Sequence, residues 1–130
     1  ENDTVATEEI VIGDNDTLAA IVAKSVGAEL LVLLSDIDGL YTADPRKDAS
    51  AVLIPTVRVL DASVRTLAGV SGSEQGTGGM ITKLKAAEIC MGCGCDMVIA
   101  NGNEPQNLYS ILEGGSVGTR FVAPRQEEDQ

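Results

Sequence analysis

The 130-residue chain carries 9 basic and 20 acidic side chains, a formal net charge of −11, and no histidine. A nucleic-acid or anionic-membrane partner needs clustered Lys and Arg, so this balance disfavours both, and the missing histidine excludes triads and general bases built on it. Apolar residues make up 44% of the chain and aromatics only 2%, so the core is aliphatic, which suits helices packed on a Val/Leu/Ile-rich sheet.

The length is that of one domain, able to bury roughly two-thirds of its unfolded surface. The apolar runs are too short to span a bilayer and show no signal-peptide pattern, so a reduced, cytoplasmic setting is the expectation. Cys90, Cys93 and Cys95 lie close together. Zinc wants four ligands and the chain has no further Cys or His, so these read as small thiols at a helix end and strand start, and no metal ligands are assigned.

Residues 1–12 have the pattern of a strand end and an extended connection. Asn2 and Asp3 are polar groups near a strand end, a ligand position in open α/β sheets, although a plain turn also accounts for them. Gly13-Asp14-Asn15-Asp16-Thr17 precedes Leu18, Ile21, Val22 and Val26. This predicts a capped helix with those four residues on its apolar face and Gly27 as its stop. One polar residue suffices for a cap, so Asn15 and Asp16 are candidates for a second role.

Glu29 leads into Leu30-Leu31-Val32-Leu33-Leu34, apolar on both faces, which predicts a central parallel strand. It ends at Ser35-Asp36, where this architecture places its ligand crevice. Residues 37–50 form a long connection in which Tyr41 either stacks on a base or packs in the core. A β-rich stretch follows from Val52 to Leu60, then a short helix capped by Asp61 and stopped by Gly69. Asp96–Ala100 reads as a second apolar strand, about 104–112 as a helix, and Gly118–Val122 as a last strand. Strand and helix alternate, which predicts βαβ units with right-handed crossovers.

Gly76-Thr77-Gly78-Gly79-Met80-Ile81-Thr82-Lys83 organises the chain. Met80, Leu84, Ala87 and Met91 recur at helical spacing, so the glycines open a helix. Free N–H groups and the positive end of the helix dipole suit a phosphate there, and Lys83, one turn in, can reach it. The pattern is neither a Walker A loop nor a dinucleotide fingerprint, since it lacks Gly-Lys-Ser/Thr and has Ile81 at the third glycine position. Residues 69–79, rich in Gly and Ser, are expected to be mobile without ligand.

These stretches together carry a resemblance. Glu1-Asn2-Asp3, Gly13-Asp14-Asn15-Asp16, the run from Ser35-Asp36 through Asp38-Gly39-Leu40-Tyr41-Thr42-Ala43-Asp44-Pro45, and Gly76–Leu84 resemble, in order and over nearly the whole chain, the amino acid kinase family. Within it the pattern is most similar to members that phosphorylate glutamate. The resemblance implies an α/β fold, a three-layer αβα sandwich with a mainly parallel sheet. It implies transfer of the γ-phosphoryl of ATP, with Mg²⁺, to the side-chain carboxylate of L-glutamate. Residue by residue, it implies that Asp3 and Asn15 bind glutamate and that Ser35, Asp36 and the segment Thr77, Gly78, Gly79, Met80, Ile81, Thr82 and Lys83 contact ATP. Lys83 would stabilise the transferring phosphoryl and Asp16 would organise the lysine; Tyr41 and Asp44 are adenosine candidates.

The family's first strand with its lysine, its first glycine-rich loop and its serine-containing substrate loop have no counterpart here, nor has the PUA domain of many relatives. Residues 1–130 are therefore expected to be the C-terminal, ATP-binding part of the kinase domain, inactive alone and homo-oligomeric when full length. Alternatives are a kinase acting on aspartate, acetylglutamate or a nucleotide monophosphate, and a non-catalytic nucleotide-binding module.

Overall fold

The computed structural model describes residues 5–6, 10–13, 16–43, 48–70, 79–115 and 117–124. Strands β1 (Val5–Ala6) and β2 (Ile10–Gly13) are followed by helix α1 (Asp16–Val26) and strand β3 (Leu30–Ser35). Then come β4 (Thr56–Val57), α2 (Ala62–Val70), α3 (Gly79–Gly92), β5 (Asp96–Asn101), α4 (Pro105–Leu112) and β6 (Thr119–Phe121).

The six strands form one sheet in the order β1-β2-β3-β5-β6-β4. The β2–β3, β3–β5 and β4–β6 pairings are parallel, whereas β1–β2 and β5–β6 are antiparallel. β3 and β5 pair from Leu30 opposite Asp96 to Ser35 opposite Asn101. Because β2, β3 and β5 run the same way, their carboxyl ends share one edge of the sheet. α1 leaves β2 and α3 leads into β5, so both helices open their N-termini at that edge.

Alternation along the strands sorts the core into two layers. Leu31 and Leu33 of β3 and Met97 and Ile99 of β5 pack with Ala19, Ala20 and Ala23 of α1 and Met80, Leu84, Ala87 and Cys90 of α3. Val32, Val98 and Ala100 face the other way, onto Ile111 and Leu108 of α4. Helices thus cover both faces, the expected three-layer αβα sandwich, and doubly covered strands explain why β3 and β5 read as continuous apolar runs. The lone phenylalanine, Phe121, is fully buried. Among the described residues no helix is long and apolar enough to cross a membrane.

Local chemistry sets the helix ends. After α1, Ala28 N–H donates to Ala23 O (3.0 Å) and Gly27 N–H to Lys24 O (3.3 Å). Gly27 has φ +69°, the left-handed turn that closes a Schellman cap and that glycine adopts without a Cβ penalty. Asp61 accepts from Val64 N–H at 3.1 Å, the expected cap of α2.

Four expectations need correction. Leu18, Ile21 and Val26 are exposed (41%, 50% and 46%), and Ala19, Ala20 and Ala23 are the buried face of α1. α1 packs against both the sheet and its neighbour α3, where only small side chains let two helices and a sheet approach closely. On α3 Cys90 is fully buried while Met91 is only half-buried, so the stripe turns toward the sheet at its end. α2 continues through Gly69 to Val70. The β-rich run at 52–60 shrinks to Thr56–Val57, with Leu53 in a single bridge to Tyr41.

Candidate functional site

Asp16 occupies the first turn of α1 and Lys83 the second turn of α3. The two helices pack side by side with their N-termini at the carboxyl edge, which closes the 67-residue gap between the two side chains. Lys83 Nζ donates to Asp16 Oδ2 at 3.3 Å. Thr82 Oγ1 donates to the same oxygen at 2.7 Å. The Lys83 and Asp16 side chains are only 13% and 12% exposed. The acid therefore does two things at once: it offsets the dipole of its own helix and holds the cation of the next. The lysine is kept over the opening of α3, where first-turn N–H groups have no helical partner. An anion placed there meets backbone N–H groups, a helix dipole and an ammonium group together.

The remaining expected contacts divide by position. Asp3, Asn15, Asp44, Thr77 and Gly78 lie outside the described residues, as does most of the glycine- and serine-rich stretch before α3. Gly79 is the first residue of α3. Met80 is buried in the core at 3% exposure, so only its backbone can face a ligand, whereas the Ile81 side chain is exposed. Ser35 and Asp36 lie at the carboxyl end of β3 on the same edge. Ser35 Oγ donates to Asp36 Oδ1 (3.5 Å) and accepts from Ile37 N–H (3.3 Å). Ser35 O accepts from Gly102 N–H at 2.7 Å, tying the ends of β3 and β5 together.

A further cluster on this edge was not expected. Asp38 accepts from Tyr41 Oη through Oδ2 and from Asn101 Nδ2 through Oδ1, both at 3.1 Å. Asn101 in turn accepts from Asn103 N–H at 2.8 Å and, through its carbonyl, from Asn107 Nδ2 at 3.2 Å. The loop after β3 is thereby clamped to the end of β5 and the first turn of α4. Tyr41 points into this clamp, not into the apolar core. Burial, and then the neighbouring Asp38 carboxylate, push its phenol above the ordinary value. The rule that singled out Ser35-Asp36, polar residues ending a parallel strand, applies equally to Asn101 and would have found it. No local signal pointed to Asp38, whose partners come from elsewhere in the chain.

Among the described residues no three or more His, Cys, Asp or Glu side chains gather as a metal cage. Magnesium demands few protein ligands when it rides on phosphate oxygens and water. The thiols fit their expected structural role at the α3–β5 joint, with Cys90 and Cys95 buried and Cys93 exposed.

Known proteins resemble this chain in sequence and in fold. The profile of the amino acid kinase family matches residues 1–101. A glutamate 5-kinase of Herpetosiphon aurantiacus is 57% identical over 121 residues, which is 93% of this chain and 33% of that protein. One from Deinococcus radiodurans is 53% identical over 95% of this chain and 34% of its own length. One from Listeria innocua is 47% identical over 98% of this chain and 48% of its own. The chain thus spans about a third to a half of the curated relatives it matches. A solved uridylate kinase of Archaeoglobus fulgidus superposes with TM-score 0.63 at 28% identity, covering 82% of this chain and 46% of that one. An isopentenyl phosphate kinase superposes with TM-score 0.61 at 25% identity, covering 82% and 36%.

Proposed function

The chain belongs to the amino acid kinase family, and on that premise we propose that it is the ATP-binding part of a glutamate 5-kinase. The reaction is transfer of the γ-phosphoryl of ATP to the side-chain carboxylate of L-glutamate, giving L-glutamyl 5-phosphate and ADP, in proline biosynthesis. The observation that carries the proposal is the Asp16–Thr82–Lys83 cluster at the joint opening of two helices. Identity of 46–57% to glutamate 5-kinases supports the substrate assignment.

The chemistry asks for what this cluster offers. A carboxylate nucleophile is already ionised at neutral pH, so the lack of histidine is no obstacle. The difficulty is the approach of one anion to another, and phosphoryl transfer is catalysed mainly by positioning and charge neutralisation. Lys83, held by Asp16, places a fixed positive charge beside the phosphoryl group, and the first-turn N–H groups of α3 add preorganised donors. Thr77–Lys83 would wrap the phosphates, with Ser35 and Asp36 on the nucleotide side and Asp3 and Asn15 on glutamate. Magnesium, when bound on the triphosphate, supplies further charge neutralisation. The same proposal carries a cytoplasmic, homo-oligomeric full-length enzyme that binds neither nucleic acid nor membrane, in keeping with the charge of −11.

The test is calorimetric titration of the purified chain with Mg-ADP, followed by an assay of ADP release with and without glutamate. Saturable binding without glutamate-dependent turnover is expected, because catalysis draws on sequence that the longer relatives have beyond this stretch. A folded, monodisperse sample that gives no binding signal refutes the nucleotide site. Glutamate-dependent turnover by this chain alone refutes the need for further sequence.

A further inference from the structure

The far end of α3 from Lys83 closes in a second Schellman turn. Cys95 N–H donates to Cys90 O at 2.9 Å and Gly94 N–H to Met91 O at 3.4 Å, and Gly94 has φ +82°. In such a turn the residues at the two ends of the longer hydrogen bond pack their side chains together. Here both are cysteine, both fully buried, and Cys95 Sγ donates to the Asp96 carbonyl at 3.3 Å. A 2.9 Å N–H···O contact between the two residues holds their Cα atoms within about 7 Å, by the lengths of the bonds that join them. That is about the upper limit at which a disulfide closes without backbone movement. The third thiol is placed differently. Cys93 is exposed, and its Sγ donates to Cys90 O at 3.3 Å. Of the four residues between the pair, Met91 is half-buried and Gly92, Cys93 and Gly94 are exposed, so a small oxidant has only a surface turn to pass.

We propose that Cys90 and Cys95 are a modification site, closing a reversible disulfide across the α3–β5 turn in response to a peroxide. Cys95 is the attacking thiol, because the neighbouring Cys90 side chain favours its thiolate and lowers its pKa. Its sulfur takes one oxygen from the peroxide, breaking the O–O bond and releasing water, to give a sulfenic acid. The Cys90 sulfur then displaces that oxygen as a second water. Two thiols lose two electrons and two protons, and one hydrogen peroxide becomes two waters. The bond ties the last turn of the helix that carries Lys83 to the residue preceding β5. An isolated buried cysteine is inert; this pair differs because each thiol has the other as its neighbour.

The experiment uses reduced protein exposed to hydrogen peroxide, then denatured, alkylated with N-ethylmaleimide and weighed by mass spectrometry. The chain has 3 cysteines. The expected product carries one adduct, at Cys93, and reduction before alkylation restores all three. Cys93→Ser alters an exposed side chain only; it is expected to take no adduct after peroxide and two after reduction. Two adducts on peroxide-treated Cys93→Ser, or a wild-type disulfide that maps to Cys93, overturns the proposal.

Discussion

Lys83→Ala separates a lysine that serves a ligand from one that merely supports the fold. At 3.3 Å from Asp16, two unit charges in an effective dielectric of about 20 attract by about 5 kcal/mol. Both groups lose most of their hydration here, which offsets much of that gain. A net stability contribution of about 1–2 kcal/mol remains, in line with a charge-assisted hydrogen bond. After the substitution Asp16 still accepts the Thr82 hydroxyl, so the carboxylate keeps a polar partner and the fold survives. The nucleotide loses a cation beside its phosphates, worth about 2 kcal/mol, or about 30-fold in Kd. Urea unfolding followed by circular dichroism gives the first quantity and Mg-ADP calorimetry on the folded variant the second. Lys83→Arg is expected to recover part of the affinity, and Asp16→Ala to weaken binding less than Lys83→Ala. A folded Lys83→Ala protein whose Mg-ADP affinity stays within about twofold of wild type, below about 0.4 kcal/mol, refutes the role given to this side chain.

Other expectations follow from the same geometry. With Tyr109→Phe as background, ultraviolet titration is expected to show the Tyr41 phenol ionising above the ordinary tyrosine value, and Asp38→Asn to bring it part of the way back. The sign follows: because the folded value is raised, the stability tied to this phenol is present below the unfolded pKa and lost as pH rises through the folded one. Asp61→Ala removes the oxygen that caps α2 and is expected to lower stability by about 1 kcal/mol in urea. Asp96 is buried, accepts from Arg120 Nη2 at 2.9 Å and Nε at 3.2 Å, and from the buried Ala123 N–H at 2.9 Å. Asp96→Ala frees the half-exposed guanidinium to hydrate but strands a buried N–H, so a loss of about 2–4 kcal/mol is expected. A loss below about 1 kcal/mol in urea would count Asp96 as no more than a surface pair.

The residues alone determined the strand–helix alternation, the buried character of β3 and β5, and the helix opening at Gly79. Each is written in local terms: an apolar run covered on both faces, a helical repeat, a glycine before a first turn. The stop at Gly27 and the cap at Asp61 were legible for the same reason, since caps are made by neighbours in the chain. The conjunction of Asp16 with Lys83 came from resemblance, because spacing along a chain does not say which helices will lie side by side. The buried face of α1 was misread, since counting apolar side chains favours Leu18 and Ile21, while the close approach of α1 to both the sheet and α3 admits only alanine. The antiparallel placement of β6, the Asp38–Tyr41–Asn101 clamp and the contact of Asp96 with Arg120 were decided by the tertiary structure alone. Each joins groups whose partners lie outside their own element. Hydrogen bonds and close packing are short-ranged, so those partners are settled only when the sheet brings its strands together.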